Sequence, residues 1–247
     1  MGEQANIVEI FSSLQGEGPR VGEQQLFVRF QDCELSCKFC DTPAPFSENR
    51  FCRVEQPAFS KRFKSLSNPL SVETLNQIIE EFNDEVISIT GGEPLQKTPF
   101  LKEWLPTLHE KRTLLLETAG VHVSEFREIV NFITIVSMDF KLPSSTGMHP
   151  WWREHEAFLK IAKEKNKEIY IKAVMTSETT GEDLEKAMGL INSIDPMIPL
   201  ILQPATAFGR FREVPTVQQI SQLLITAQKS LPNVRVIPQL HKQLGIL

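Results

Sequence analysis

No stretch of the chain approaches the roughly eighteen uninterrupted apolar residues of a membrane helix, so a helical span is excluded. An excess of basic charge is also missing. Lys and Arg total 26 against 31 Asp and Glu, a formal charge of -5, so no general polyanion-binding face is expected and no nucleic-acid partner. Internal repeats and low-complexity tracts are absent, and 12 Gly and 16 Pro in 247 residues are ordinary usage, which removes fibrous and disordered classes. The opening MGEQANIVEI has neither a basic n-region nor an apolar h-region. Asn6 stands where a myristoylation signal wants Ser or Thr. The expectation is a cytoplasmic, soluble protein with no membrane partner. With 41% hydrophobic and 23% charged residues, the chain can bury one substantial core and is short for two domains.

Cysteine is scarce, four in all, and three of them fall within eight residues as Cys33-x3-Cys37-x2-Cys40. Thiols so close together in a reducing compartment suggest a metal, whereas a disulfide framework would spread them along the chain. Three thiolates with no obvious fourth suit a 4Fe–4S cluster that keeps one iron open for a small molecule. A zinc site completed by Cys52 or a histidine, or three unrelated free thiols, are the competing readings. Cys52 falls in an irregular stretch and reads as a bystander.

What is abundant is alternation of short β-rich runs with helical patterns, the signature of βα units around a parallel sheet. Strands are expected at 23–30, 86–90, 113–118, 132–138, 168–174, 198–203 and 233–237. Helices are expected at 71–82, 98–111, 124–131, 151–165, 181–194 and 215–230. Ser71 and Ser124 suit N-caps, and Pro215 suits a first helical position. Six or seven such units fit an incomplete barrel better than a closed eightfold one, which takes about 250 residues for its βα units alone. Residues 41–70, with four Pro and no clean period, read as a long irregular loop inserted in a single domain.

The cysteine loop directly after a strand, Phe39 before its last Cys, and Gly91-Gly92-Glu93-Pro94 ending the next strand together resemble radical S-adenosylmethionine (SAM) enzymes. A narrower resemblance spans nearly the whole chain. Leu14-Gln15-Gly16-Glu17-Gly18, Phe27-Val28-Arg29-Phe30, Cys40-Asp41-Thr42, Leu116-Glu117-Thr118, Leu202-Gln203-Pro204 and the final VRVIPQLHK are similar to the 7-carboxy-7-deazaguanine synthase family. The resemblance implies an α/β fold with a modified, partial (β/α)6-type barrel. It also implies a homodimer using a 4Fe–4S cluster, SAM and Mg²⁺, with an electron donor such as flavodoxin or ferredoxin. The implied reaction converts 6-carboxy-5,6,7,8-tetrahydropterin into 7-carboxy-7-deazaguanine with loss of ammonia.

Alternation in LFVRF separates Leu26, Val28 and Phe30 from Phe27 and Arg29. Arg29 suits a bidentate grip on a substrate carboxylate, with a structural salt bridge as the plain alternative. Thr90 ends a strand where barrel folds place their sites, or serves as a cap hydroxyl. Glu117, Ser137, Lys172 and Gln203 also fall near strand ends. By resemblance, Leu14, Gln15, Gly16 and Glu17 fold over the pterin together with Arg29, Thr90 and the carboxylate of Leu247. Phe39, Cys40 and Asp41 adjoin adenine, Gly92 the methionine amine, Ser137 with Met138 and Asp139 the ribose, and Gln203, Pro204, Ala205 and Thr206 the adenine or ribose. Cys33, Cys37 and Cys40 would hold the cluster and Thr42 the Mg²⁺, completed by substrate oxygens and water. Some relatives carry Ser-Pro-Lys where this chain reads Ser137-Met138-Asp139-Phe140-Lys141, leaving Asp139 and Lys141 as alternatives beside SAM. A glycyl-radical-activating enzyme and a non-catalytic zinc module are the rival functions.

Overall fold

The structure, a computed structural model, describes residues 2–40 and 50–246. Its strands are β1 (Gln4–Ala5), β2 (Ile7–Leu14), β3 (Gln24–Phe30), β4 (Phe51–Glu55), β5 (Phe63–Ser67), β6 (Leu70–Ser71), β7 (Val86–Gly91), β8 (Thr113–Thr118), β9 (Ile135–Asp139), β10 (Glu168–Met175), β11 (Leu200–Pro204) and β12 (Val234–Val236). The helices are α1 (Val72–Ile79), α2 (Thr98–Trp104), α3 (Val123–Ile129), α4 (Pro143–Thr146), α5 (Trp152–Glu164), α6 (Gly181–Ile194), α7 (Val217–Gln228) and α8 (Leu240–Leu244). Among the described residues no helix is long and apolar enough to cross a membrane.

Ten strands form one open sheet in the order β12-β11-β10-β9-β8-β7-β3-β2-β4-β5. From β12 to β3 every pairing is parallel, and these are the strands that the alternating pattern indicates. β2 then runs antiparallel to β3, β4 parallel to β2, and β5 antiparallel to β4. The outer face carries the core: Leu26, Val28 and Phe30 of β3, Ile87 and Ile89 of β7, and Leu114 and Leu116 of β8 share one buried cluster with Leu75, Phe126, Phe158 and Ile191 of the helices. Side chains alternate across a strand, so the intervening residues line the opposite, inner face.

Residues 51–71 correct the expectation of an irregular loop from 41 to 70. They form the hairpin β4–β5 and the short β6, while 41–49 lie outside the described residues. Cys52 and Val54 alternate into the core, with Arg53 between them pointing outward. Short edge strands bearing charges and flanked by Pro57 and Pro69 carry too little apolar period to stand out. β2, equally unexpected from the pattern, pairs with β3 along nearly its whole length.

Ser71 caps α1 as expected, its hydroxyl accepting from Thr74 N at 3.2 Å. The other two start signals are displaced. α3 begins after His122, and Ser124 Oγ bonds Glu125 at 2.7 Å. α7 is capped by Thr216 through a capping box with Gln219, leaving Pro215 just outside. The helix expected to run to 111 stops at Trp104 and tightens into a 3₁₀ turn at Leu105–Thr107, because Pro106 removes a backbone donor.

Candidate active site

Sheet register lines up the candidate residues on the inner face. Arg29 of β3 lies opposite Thr90 of β7, Glu117 of β8 opposite Ser137 of β9, and Ser137 opposite Tyr170 of β10. One step further along, Asp139 lies opposite Lys172, and Val174 opposite Gln203 of β11. Thr90, Ser137, Lys172 and Gln203 are all buried. A buried polar row needs partners, and Glu117 supplies several. Its carboxylate accepts from Thr90 Oγ1 at 2.7 Å and from Gln15 Nε2 at 3.0 Å. The same Gln15 amide reaches Gln25 Oε1 at 3.2 Å.

Gln15 opens a turn that leaves β2 and crosses the inner face from the start of β3 to β10. Gln15 N donates to Glu23 O at 2.7 Å at its base. Beyond it, Gly18 sits in the left-handed region at φ 68°, and an added Cβ there would meet the Tyr170 ring at 2.6 Å. Glu17 pairs with Lys172 and accepts Gln239 Nε2 at 2.9 Å. Burial alone would raise the Glu17 carboxyl, but Lys172 and these hydrogen bonds bring it down to about 2. Lys172, despite burial, is held above its usual range by Glu17 and, further off, Glu117. Gly16 lies under the imidazole of His241, 2.3 Å from where a Cβ would stand. Leu14, half-buried, is the last residue of β2.

Arg29 bridges Glu9 of β2 at 3.0 Å and stands 5.8 Å from the centre of the Phe11 ring. Phe11 in turn stacks on Phe27 at 5.2 Å. The guanidinium is thereby fixed on the same face as Thr90, and the structural salt bridge weighed in the sequence is present.

The cysteine loop leaves β3 through Asp32, a non-glycine residue at φ 77°. Lys97 binds the Asp32 carboxylate at 2.5 Å and Glu93 N binds its carbonyl at 2.9 Å. Asp tolerates this conformation better than most residues. Gly91 and Gly92 are needed here for a reason other than ligand approach: Cβ atoms on them would meet Phe30 O at 2.1 Å and Asp32 O at 2.0 Å. The room is taken by the backbone that carries the cluster loop. Glu93, fully buried, fixes the turn after β8, accepting from Thr118 Oγ1 and Ala119 N, both at 2.8 Å.

Among the described residues no three His, Cys, Asp or Glu side chains are drawn into a coordination cage, and the three thiols are neighbours along one loop. Burial lifts the Cys33 thiol to about 11 and also raises Cys37, while the nearby Lys141 ammonium opposes both shifts. A buried cation beside the Cys33 and Cys37 thiols fits a thiolate-held cluster. Cys33 and Cys37 pack against Leu35, Ala119 and Val121, whereas Cys52 belongs to the main core. The donor set is therefore three sulfurs, not four, which favours the cluster reading over zinc.

Asp139 Oδ1 and Gln203 Oε1 are among the buried oxygens with no hydrogen-bond partner among the described residues. Orphaned polar atoms on one face suit a polar ligand, and SAM fits them. Lys141 binds Asp139 Oδ2 at 2.9 Å and lies 5.6 Å from the Phe39 ring centre, so both alternatives border the same space. Phe39 and Ala205 pack in one small cluster with Val174 and Phe211. Pro204 is half-buried and Thr206 exposed. Met138 is a correction: its side chain belongs to the outer core and packs under Gly120, because strand parity sends it away from Ser137 and Asp139. Cys40 is exposed and Gly92 half-buried. Asp41, Thr42 and Leu247 lie outside the described residues. Tyr170 and Gln25 were missed by sequence reasoning; the alternation of Tyr170 with Lys172 along β10 was the available signal.

The comparisons agree with this geometry. Residues 27–191 match the Radical SAM superfamily. A 7-carboxy-7-deazaguanine synthase of Geobacter sulfurreducens is 37% identical over 98% of both chains, and one of Methanopyrus kandleri is 33% identical over 96% of this chain and 92% of that one. Among solved structures, QueE from Escherichia coli superposes with a TM-score of 0.64 at 23% identity, covering 96% of this chain and 95% of that one. A radical SAM methyltransferase from Sphaerobacter thermophilus gives 0.63 at 14% identity, over 87% of this chain and 66% of that one. A three-cysteine loop at the end of β3, a buried polar row across the sheet and full-length relatives together establish that the chain belongs to the radical SAM superfamily and, within it, to the 7-carboxy-7-deazaguanine synthases.

Proposed function

We propose that this chain is a radical SAM lyase converting 6-carboxy-5,6,7,8-tetrahydropterin into 7-carboxy-7-deazaguanine with loss of ammonia, a step of queuosine and deazapurine biosynthesis. The observation that carries the reading is the junction at Glu117, where Gln15 of the turn and Thr90 of β7 meet one carboxylate on the inner face. When bound, the cluster held by Cys33, Cys37 and Cys40, together with SAM, would supply one-electron radical chemistry at the pterin ring.

The protein's part is orientation and exclusion of water. Cys33, Cys37 and Cys40 hold the cluster. Phe39, Cys40, Asp41, Gly92, Ser137, the Met138 backbone, Asp139 and Gln203 to Thr206 surround SAM, with Lys141 beside them. Leu14, Gln15, Gly16 and Thr90 place the pterin ring, and Arg29, steadied by Glu9, faces its carboxylate. Thr42 with substrate oxygens and water holds Mg²⁺. A flavodoxin or ferredoxin delivers the electron, and the chain works as one catalytic unit in a cytoplasmic homodimer.

The test is anaerobic incubation of the reduced protein with SAM and the carboxytetrahydropterin, read by mass spectrometry. Deazapurine product and 5′-deoxyadenosine are expected. Absence of both from protein with a full complement of iron and sulfide overturns the assignment.

A further inference from the structure

Glu17 and Lys172 face each other 155 residues apart in sequence, with Lys172 6% exposed. An ion pair taken out of water is seldom kept for stability alone, since desolvating both charges offsets most of their attraction. Its partners suggest another use. The second oxygen of Glu17 accepts Gln239 Nε2 at 2.9 Å, and one residue on, Leu240 N donates to Gly16 O at 2.9 Å. His241 fills the space above Gly16 so tightly that no side chain fits there. The turn is thus pinned to β10 on one side and to the segment entering α8 on the other. Gln15, in the same turn, points its amide at Glu117.

We propose that Glu17 and Lys172 are positioning residues: their buried pair clasps the C-terminal segment 237–246 to the Gln15–Gly18 turn, and this clasp sets where Gln15 stands on the inner face. In this proposal Glu17 acts through Gln239 and Gly16 and does not touch the pterin. The turn before β3 and the segment after β12, which share no strand pairing, are thereby joined by side chains and one backbone bond. The consequence for the pterin rests on the function proposed above; the clasp itself does not.

The experiment therefore has two arms, on wild type, Glu17→Gln, Lys172→Met and Gln239→Ala. Hydrogen exchange of the free protein reads the clasp: amides of 237–246 should exchange about tenfold faster in each variant, as expected for a lost buried bond, with the rest of the sheet unchanged. Gln239→Ala keeps the ion pair and guards against misfolding. Steady-state turnover reads the site: the pterin KM should rise about tenfold with a smaller change in kcat, a loss of about 1.4 kcal/mol, while iron content and SAM cleavage without pterin stay at wild-type levels. Unchanged exchange in 237–246 overturns the clasp. A raised KM with unchanged exchange means that the carboxylate meets the pterin directly, and faster exchange with an unchanged KM means that the clasp does not serve the site; both overturn the proposal. If wild type turns over no pterin, the function fails and the exchange arm still decides the clasp.

Discussion

Thr90 on β7 donates its hydroxyl to Glu117 on the neighbouring β8 at 2.7 Å. A β-branched residue with one hydroxyl is well suited to that position, since its rotamer is nearly fixed by the strand. Thr90→Val keeps the shape and removes the donor, leaving Glu117 with one neutral partner fewer in a buried place. The expected result is a fall of about 10- to 100-fold in kcat/KM for the pterin, the kinetic equivalent of about 1–3 kcal/mol for an unmade buried bond. SAM cleavage in the absence of pterin should not change. A parallel loss in both would place Thr90 at SAM.

The division of the cysteines into three and one is testable by composition. Cys37→Ala should abolish cluster assembly on anaerobic reconstitution, measured as iron and acid-labile sulfide per chain. Cys52→Ala should leave both at wild-type values and cost only about 1 kcal/mol of unfolding free energy, because a small buried apolar group is removed from the outer core. Iron lost equally in both variants would mean a four-cysteine site.

Gly92→Ala should damage the cluster loop through backbone geometry, without any change in the ligands. The added Cβ would meet Asp32 O at 2.0 Å and Cys33 Cβ at 2.8 Å, neither of which is the far end of a flexible side chain. β3 and the loop must separate from β7 to admit it. A lower thermal midpoint and incomplete iron incorporation are expected together. Normal iron content with only weakened SAM binding would show that the position serves the ligand alone.

The parallel part of the sheet was legible because its strands are short β-rich runs that alternate with helical patterns, and α6 falls on 181–194 as expected. β4 and β5 were not, since Arg53 and Lys64 on a sheet edge dilute the alternation. The site was legible wherever a motif marks a strand end, as at Thr90 and Gln203. It was not legible where the role depends on a partner remote in sequence. Nothing local to Glu17 indicates Lys172, and nothing local to Arg29 indicates Glu9. The Met138 side chain turns into the core because a motif of consecutive residues ignores strand parity; only alternate side chains of such a motif can share a face.

His155 offers a pH prediction independent of catalysis. It is fully buried, stacked on Phe140 with ring centres 4.6 Å apart, and its Nε2 lies 3.1 Å from Ala119 O. A carbonyl only accepts, so Nε2 carries the proton in the neutral ring. Burial, and to a smaller degree Lys141, pulls its pKa from 6.5 down to about 3 against the opposing bond to Ala119. Between those two values the unfolded chain binds a proton that the folded chain refuses, so stability falls on acidification, by about 1.4 kcal/mol per pH unit once well below 6.5. The depressed carboxyl of Glu17 acts in the same direction but only from about 4.5 downward, and Glu93, raised by burial, acts oppositely. Comparison with His155→Gln cancels both, because glutamine retains an N–H donor and does not titrate. Urea unfolding at pH 7, 6 and 5, on protein without reconstituted cluster, should show the wild-type advantage over the variant shrinking by about 2 kcal/mol across the range. A difference independent of pH would mean that His155 titrates alike in the folded and unfolded chain, and one that grows on acidification would mean that the folded ring is protonated with its second nitrogen paired.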